Sequence, residues 1–530
     1  MGVRNWGAGA LLALMGLIGA GCDTLPGRVP HLVTAKSAEP ILVTIKDGRL
    51  RGLKTPDSIA FLGIPYAAPP VGDARFRPPQ PPPPWEGVRD ATAIGPACFS
   101  NMPSPGPTSE DCLNLNVYAP NGAVAGTSLP VMVWIHGGGL LRGTASQYDP
   151  SDLAREQNVV VVAPNYRLGA LGFLAHPALR GPGEGAYGLL DQQAALAWVQ
   201  ENIAAFGGDP GRVTLFGESA GALSVCSHVA VPESRALFDA AIIQSGSCTH
   251  PDTTVPQADA EAGGLQMAAD LGCGAPATAA DCLRALSPGR LVRAQSWRRG
   301  HVGQDAYAPM TGGDVLPAPP EVLFAEQKPD LPILMGNNLN EGRLFSNILS
   351  YSWALKTRGG YERRVRRMMP SQFGDQVLAA YEDLAERSYA EAYAAILTDS
   401  HFACPVLTLH RLIGAQAAFY AYEFNDPNAP SRIPRAPFAP PIGSYHAAEI
   451  AYVFQRPWAL ASPASFTDEQ WALADRMQAH WGRFAYTGAP GTEWPAFDGG
   501  DPQWLSPEVT GDAQQFALRH RCDFWHALGY

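Results

Sequence analysis

The sequence predicts an α/β protein built on an open, mostly parallel central sheet flanked by helices. Three observations carry this. "LPVMVWIHGGG" (129–139) and "NVVVVAPNYR" (158–167) are uninterrupted apolar runs that end in turn residues, the composition of strands buried on both faces. "LLDQQAALAWVQENIAAF" (189–206) is strongly helix-forming and stops at Gly207-Gly208, a helix C-terminus. The short strands "VTLFG" (213–217) and "AAIIQSG" (240–246) follow, so strand and helix alternate in chain order, as a parallel sheet requires.

Taken from the N-terminus, "MGVRNWGAGALLALMGLIGAGC" carries one arginine, an apolar stretch and small residues before Cys22. It is short and glycine-rich for a bilayer span and reads as an export signal over 1–21. "IGAGC" is similar to a bacterial lipobox, in which the cysteine is lipidated and becomes the mature N-terminus, although Gly19 stands where Leu is usual. Two outcomes are open: an envelope lipoprotein anchored through Cys22, or a plainly secreted protein. Residues 22–38 read as a tether that extends roughly 50 Å at about 3.3 Å per residue.

From residue 39 to 530 no break in composition divides the chain, which reads as one domain. "ILVTIKDGRLRGL" (41–53) alternates around Asp47-Gly48, a hairpin signal. The proline-rich run at 69–85 is flanked by Phe76 and Trp85 and reads as a strap laid on the surface. "DLPILMGNN" (330–338) and "AAFYAYEF" (417–424) are further strand candidates. Residues 343–400 are helical in character, clearest in "LAAYEDLAERSYAEAYAAIL" (378–397), and fit insertions over a site.

Net charge is −11 and no basic cluster occurs, which excludes a nucleic-acid partner because backbone binding needs a concentrated positive face. Nine cysteines become eight if Cys22 is set aside, and none forms a C-x-x-C pair or stands at ligand spacing to a histidine. Disulfides in an oxidising compartment account for them better than zinc. Neither a metal nor a cofactor is expected.

The chemistry centres on "VTLFGESAGAL" (213–223). Ser219 stands at a strand-to-helix turn, where reactive groups of a parallel sheet collect. Gly217 and Gly221 let the flanking backbone crowd together, and the helix N-terminus favours developing negative charge. This is the context a nucleophile elbow requires. The glycine run after the strand at 129–135 frees backbone N–H groups, and Gly138, Gly139 and Ala220 are the expected oxyanion donors.

"FGGDPGRVTLFGESAG" (206–221) matches the nucleophile signature of the type-B carboxylesterase and cholinesterase family. "SEDCLNLNVYAP" (109–120) resembles its second signature, with Asn114 in place of the usual aromatic residue or Thr. "RFRPP" (75–79) and "CDFW" (522–525) extend the resemblance across nearly the whole chain after the tether. It implies an α/β-hydrolase fold and a serine esterase without cofactor, acting on a small-molecule ester. "PIGSYHAAEIAYVF" resembles the family's histidine block and makes His446 the base. "LPILMGNNLNEGRLF" resembles the segment ending in the catalytic acid and makes it Glu341. His410, on an apolar helical face, reads as core.

The resemblance further implies a buried polar network of Glu218, Ser245 and Glu449, and an Arg75–Glu110 salt bridge. Ordinary satisfied polar residues remain the alternative for the first three. It implies disulfides Cys98–Cys112, Cys273–Cys282 and Cys404–Cys522; Cys226 and Cys248 remain, and a fourth bridge between them follows by elimination. Leu344 occupies an aromatic position of the choline site, Phe345 is retained, and the first disulfide loop "FSNMPSPGPTSED" has no tryptophan. A general carboxylic ester is therefore expected rather than choline. The rival classes are a triad-less adhesion protein resembling neuroligins, and a lipase or peptidase on the same fold; all three triad residues argue against the first.

Overall fold

The computed structural model of the chain describes residues 38–530 apart from 57, 101–103, 105, 296–306 and 509–514. The expected export signal, Cys22 and almost all of the tether lie outside the described residues. Eleven strands form one continuous sheet: β1 (Glu39–Ile45), β2 (Gly48–Lys54), β3 (Ser58–Pro65), β4 (Asn114–Pro120), β5 (Leu129–Ile135), β6 (Val160–Pro164), β7 (Gly208–Glu218), β8 (Ala240–Gln244), β9 (Ile333–Asn338), β10 (Phe419–Phe424) and β11 (Gln503–Leu505). Their spatial order is β1-β2-β3-β4-β6-β5-β7-β8-β9-β10-β11, with Val88–Asp90 paired to β2.

The hairpin forms where Asp47-Gly48 predicts it, with Ile45 opposite Gly48. Strands β1 to β4 pair antiparallel with one another in this order and β4 is antiparallel to β6, while Val88–Asp90 joins β2 in parallel. From β6 onward every pairing is parallel. The two apolar runs explain this placement. All seven residues of β5 and all five of β6 are buried, and their side chains alternate between two cores. Val131, Val133 and Ile135 face one with the helix Tyr187–Asn202, while Met132 and Trp134 face the other with the helix Asp468–Thr487. A strand covered on both faces has no polar side to show, hence the uninterrupted apolar sequence.

Several expectations need refinement. β7 begins at Gly208 rather than 213, because Gly208 pairs with Leu129 before a register shift brings Val213 opposite Val131. The stretch 378–397 divides at Tyr381 and Ser388 into Gly374–Ala380, Glu382–Ala385 and Tyr389–Leu397. Ser388 stops the run by accepting the Glu391 N–H, a side-chain cap that starts a new helix. His410 is half-buried rather than core, its ring packed against Phe419 and Phe497. The strap holds: Trp85 donates to the Arg49 carbonyl at 2.9 Å, and Phe76 is buried.

All four disulfides are formed: Cys98–Cys112, Cys226–Cys248, Cys273–Cys282 and Cys404–Cys522. Arg75 and Glu110 make a two-pronged ion pair at 2.7 and 2.6 Å, and the same guanidinium donates to the Arg284 and Leu286 carbonyls. That pair fastens the strap to a distant helical segment. Among the described residues no helix is long and apolar enough to cross a membrane.

Candidate active site

The carboxyl ends of four parallel strands bring the expected residues together. Ser219 follows β7 and has φ 58°, in the left-handed region that a non-glycine residue enters only under constraint. The constraint is visible on both sides. A Cβ on Gly217 would lie 2.7 Å from the Gly221 carbonyl carbon, and one on Gly221 would overlap the Ile135 carbonyl. Ser219 N–H donates to the Gln244 carbonyl at 2.9 Å, tying the turn to β8. The helix Ala220–Ala230 starts directly behind it.

His446 lies in the loop after β10, and its Nε2 is 2.8 Å from Ser219 Oγ. Its Nδ1 is 2.7 Å from Glu341 Oε2. A carboxylate only accepts, so Nδ1 carries the hydrogen and Nε2 is the acceptor for the serine hydroxyl. Glu341 follows β9, is fully buried, and accepts the Asn338 N–H on its other oxygen at 2.7 Å. Thr398 Oγ1 accepts the Gly342 N–H at 3.0 Å, bracing the backbone next to that carboxylate.

Glu218 and Glu449 are buried beside this line. Glu449 accepts from Asn338 Nδ2 at 2.6 Å and from Gln244 Nε2 at 3.3 Å. Glu218 Oε1 is 3.2 Å from His446 Nε2. Ser245 is held by its N–H to the Gly336 carbonyl at 2.8 Å, but its Oγ has no hydrogen-bond partner among the described residues. It is next to the network without being bonded into it.

Three buried carboxyl groups around one imidazole set the electrostatics. Burial alone would lower the His446 pKa, but Glu218, Glu341 and Glu449 together raise it to about 9. Burial pushes Glu218 well above the carboxylate range, with Glu449 and Glu341 adding to the push and His446 opposing it. Burial and Glu341 bring Glu449 to about 7. These shifts are coupled: a proton on Glu218 removes its pull on the imidazolium and so favours the neutral ring.

Gly137–Gly139 follow β5 and press on the nucleophile. A Cβ on Gly137 would come 2.8 Å from the Glu218 carbonyl oxygen and 3.0 Å from Ser219 Cβ. His136 stacks on Tyr166, gives its Nδ1 hydrogen to the Gly137 carbonyl at 2.9 Å and accepts Tyr166 O–H at its own carbonyl. Burial lowers its pKa to about 4, so the ring is neutral. Gly138 and Gly139 both have positive φ and reach solvent, whereas Ala220 is buried. Among the described residues none of their three N–H groups donates to a loop or cap carbonyl.

Of the two pocket candidates, Leu344 is buried in the second core, while Phe345 is half-buried with its ring 5.2 Å from that of His446. Phe402 flanks the same imidazole at 4.9 Å. It lies on the π-helix Thr398–Ala403, and neither the motif nor the spacing of the serine segment points to it.

Among the described residues, His250, Asp252 and His401 bring one potential ligand atom each to within 4.8 Å of one another. The two rings stack at 4.0 Å, so their in-plane lone pairs run side by side rather than converge. His250 Nδ1 also accepts the Asp252 N–H, which puts its ring proton on Nε2. A metal-binding histidine uses its second nitrogen as a donor, so this is a poor ligand set.

Residues 39–525 match the carboxylesterase family. The chain is 36% identical over 515 residues to an acylcarnitine hydrolase of Mus musculus, covering 91% of this chain and 88% of that protein. It is 35% identical over 500 residues to a cocaine esterase of Oryctolagus cuniculus, covering 88% and 91%. The family match and both relatives run over most of this chain, and the chain belongs to the carboxylesterase family as a carboxylic ester hydrolase of α/β-hydrolase fold.

Proposed function

We propose that the chain hydrolyses esters through an acyl-enzyme on Ser219. The observation that supports this is the unbroken line of hydrogen bonds from Glu341 through His446 to Ser219, at 2.7 and 2.8 Å. Ser219 Oγ attacks the carbonyl carbon as its proton passes to His446 Nε2, and Glu341 stabilises the imidazolium. The Gly138, Gly139 and Ala220 N–H groups receive the oxyanion, each contributing ~2.7–4 kcal/mol in the transition state. Collapse breaks the ester C–O bond, and the leaving alcohol takes the proton from His446. Water then attacks the acyl carbon by the same proton route and frees Ser219.

Glu218, Ser245 and Glu449 form the polar surround of the triad, and Leu344 and Phe345 border the acyl group. With no tryptophan in the loop at 99–111, a general carboxylic ester suits the site better than choline. Relatives named for acylcarnitine and for cocaine support breadth over one substrate. Release of p-nitrophenol from short-chain esters by the wild type, and its loss in a folded Ser219→Ala variant, tests the reading. Full activity in that variant overturns it.

The protein is exported and held to the envelope by a lipid on Cys22. Setting Cys22 aside leaves eight cysteines, the number that the four disulfides use. Intact mass spectrometry of the exported protein decides between a lipidated Cys22 and an unmodified N-terminus, which would mean plain secretion.

A further inference from the structure

The loop that carries the oxyanion glycines also carries a cation. Arg142 stands three residues beyond Gly139, and the two ends of this short loop are in contact. A Cβ on Gly138 would overlap the Arg142 carbonyl and lie 3.0 Å from its Cγ. Leu141 N–H donates back to the Gly138 carbonyl, closing the turn. Gly137, the preceding residue of the same loop, abuts Ser219, so Arg142 packs on the loop that borders the nucleophile.

This arginine is unlike the others in two respects. Among the described residues it has no hydrogen-bond, ion-pair or aromatic partner, whereas Arg75 and Arg167 are each locked to a carboxylate. It is also half-buried: burial lowers its pKa and no neighbouring carboxylate opposes the shift. The chain has 49 acidic against 38 basic residues and supplies none of them here. An unpaired guanidinium partly withdrawn from water is costly unless an anion meets it. Its planar fork suits a carboxylate in two-pronged contact.

We propose that Arg142 is a specificity residue that receives a carboxylate carried by the ester substrate, on its acyl or its alcohol side. This rests on the esterase reading above. The acidic surround of His446 does not oppose it, since those carboxyls are buried and none of them acts on Arg142, which is half-buried.

The test is a pair of matched substrates on each side of the ester bond. On the alcohol side, 4-acetoxybenzoate is compared with its neutral methyl ester; on the acyl side, monophenyl adipate is compared with methyl phenyl adipate. The ratio of kcat/KM, charged over neutral, is measured for wild type, Arg142→Gln and Arg142→Lys. In at least one pair the ratio should fall about tenfold in Arg142→Gln, the weight of one charge-assisted hydrogen bond. Arg142→Lys should fall between the two, and the pair that responds tells which side carries the anion. Equal ratios in wild type and Arg142→Gln for both pairs, with active enzyme, overturn the assignment and leave the esterase standing. A wild type that cleaves none of the four esters overturns both.

Discussion

Glu218 Oε1 approaches His446 Nε2 to 3.2 Å, and that same nitrogen receives the Ser219 hydroxyl at 2.8 Å. In the neutral ring Nε2 offers a lone pair, so a charged Glu218 there is repelled and a protonated one is tolerated. When the ring takes the serine proton, the relation reverses and the carboxylate attracts the imidazolium. The proton preferences of the two groups are therefore tied to the progress of the reaction.

Replacing Glu218 with Gln removes a charge that raises the His446 pKa. The acid limb of the kcat/KM profile should move to lower pH. Because Glu218 is not the base, the fall in kcat should stay below the roughly 10²-fold expected for losing a general base. An unmoved acid limb would show that Glu218 carries no charge during turnover.

Glu341→Gln should fold and bind substrate but lose on the order of 10²–10⁴ in kcat, since the neutral amide no longer holds the Nδ1–H tautomer against an acceptor. Near wild-type kcat in this variant would mean that another group orients His446.

His520 supplies a prediction about stability. It lies between Asp399 and Glu423 at 2.6 Å each, and although burial alone would lower its pKa, the two carboxylates raise it to about 9 from an ordinary 6.5. A raised folded-state pKa stabilises fully below the unfolded value and loses that contribution as pH climbs through the folded one. Stability should thus decline between pH 6.5 and about 9. His520→Gln should cost about 3–5 kcal/mol near pH 6.5 by stranding buried charge. Its melting temperature should also fall less steeply with pH than that of the wild type. Parallel curves for the two proteins would assign the pH dependence elsewhere.

The Cys404–Cys522 bridge spans 118 residues, against separations of 9 to 22 for the other three. In the chain-entropy description its removal costs about 5 kcal/mol. The double variant Cys404→Ala/Cys522→Ala should unfold at markedly lower denaturant concentration than the variant lacking Cys273–Cys282. Equal losses would mean that loop length does not govern these crosslinks.

How much of this was legible in the sequence depends on range. The serine turn is legible because Gly217, Ser219 and Gly221 solve a local steric problem within five residues. The strands β5 and β6 are legible because burial on both faces leaves one composition. Glu341 and His446 stand 105 residues apart, and only the family resemblance linked them. Phe402 against His446, Thr398 under Gly342, and Glu218 facing Nε2 arise where separate elements meet; no local pattern encodes such meetings. The helical character of 378–397 was legible, but its division into three helices was not, because the breaks at Tyr381 and Ser388 fall inside a run of good helix formers.

The most direct measurement is site mapping of a mechanism-based acyl-type label. The protein is treated with a fluorophosphonate, digested and mapped by mass spectrometry, alongside Ser219→Ala and His446→Ala. A nucleophilic Ser219 predicts one stoichiometric adduct on that residue, appearing in step with loss of esterase activity. It should be absent from Ser219→Ala and far slower to form in His446→Ala. A stoichiometric adduct on any other residue, or an active enzyme that resists labelling, would contradict it.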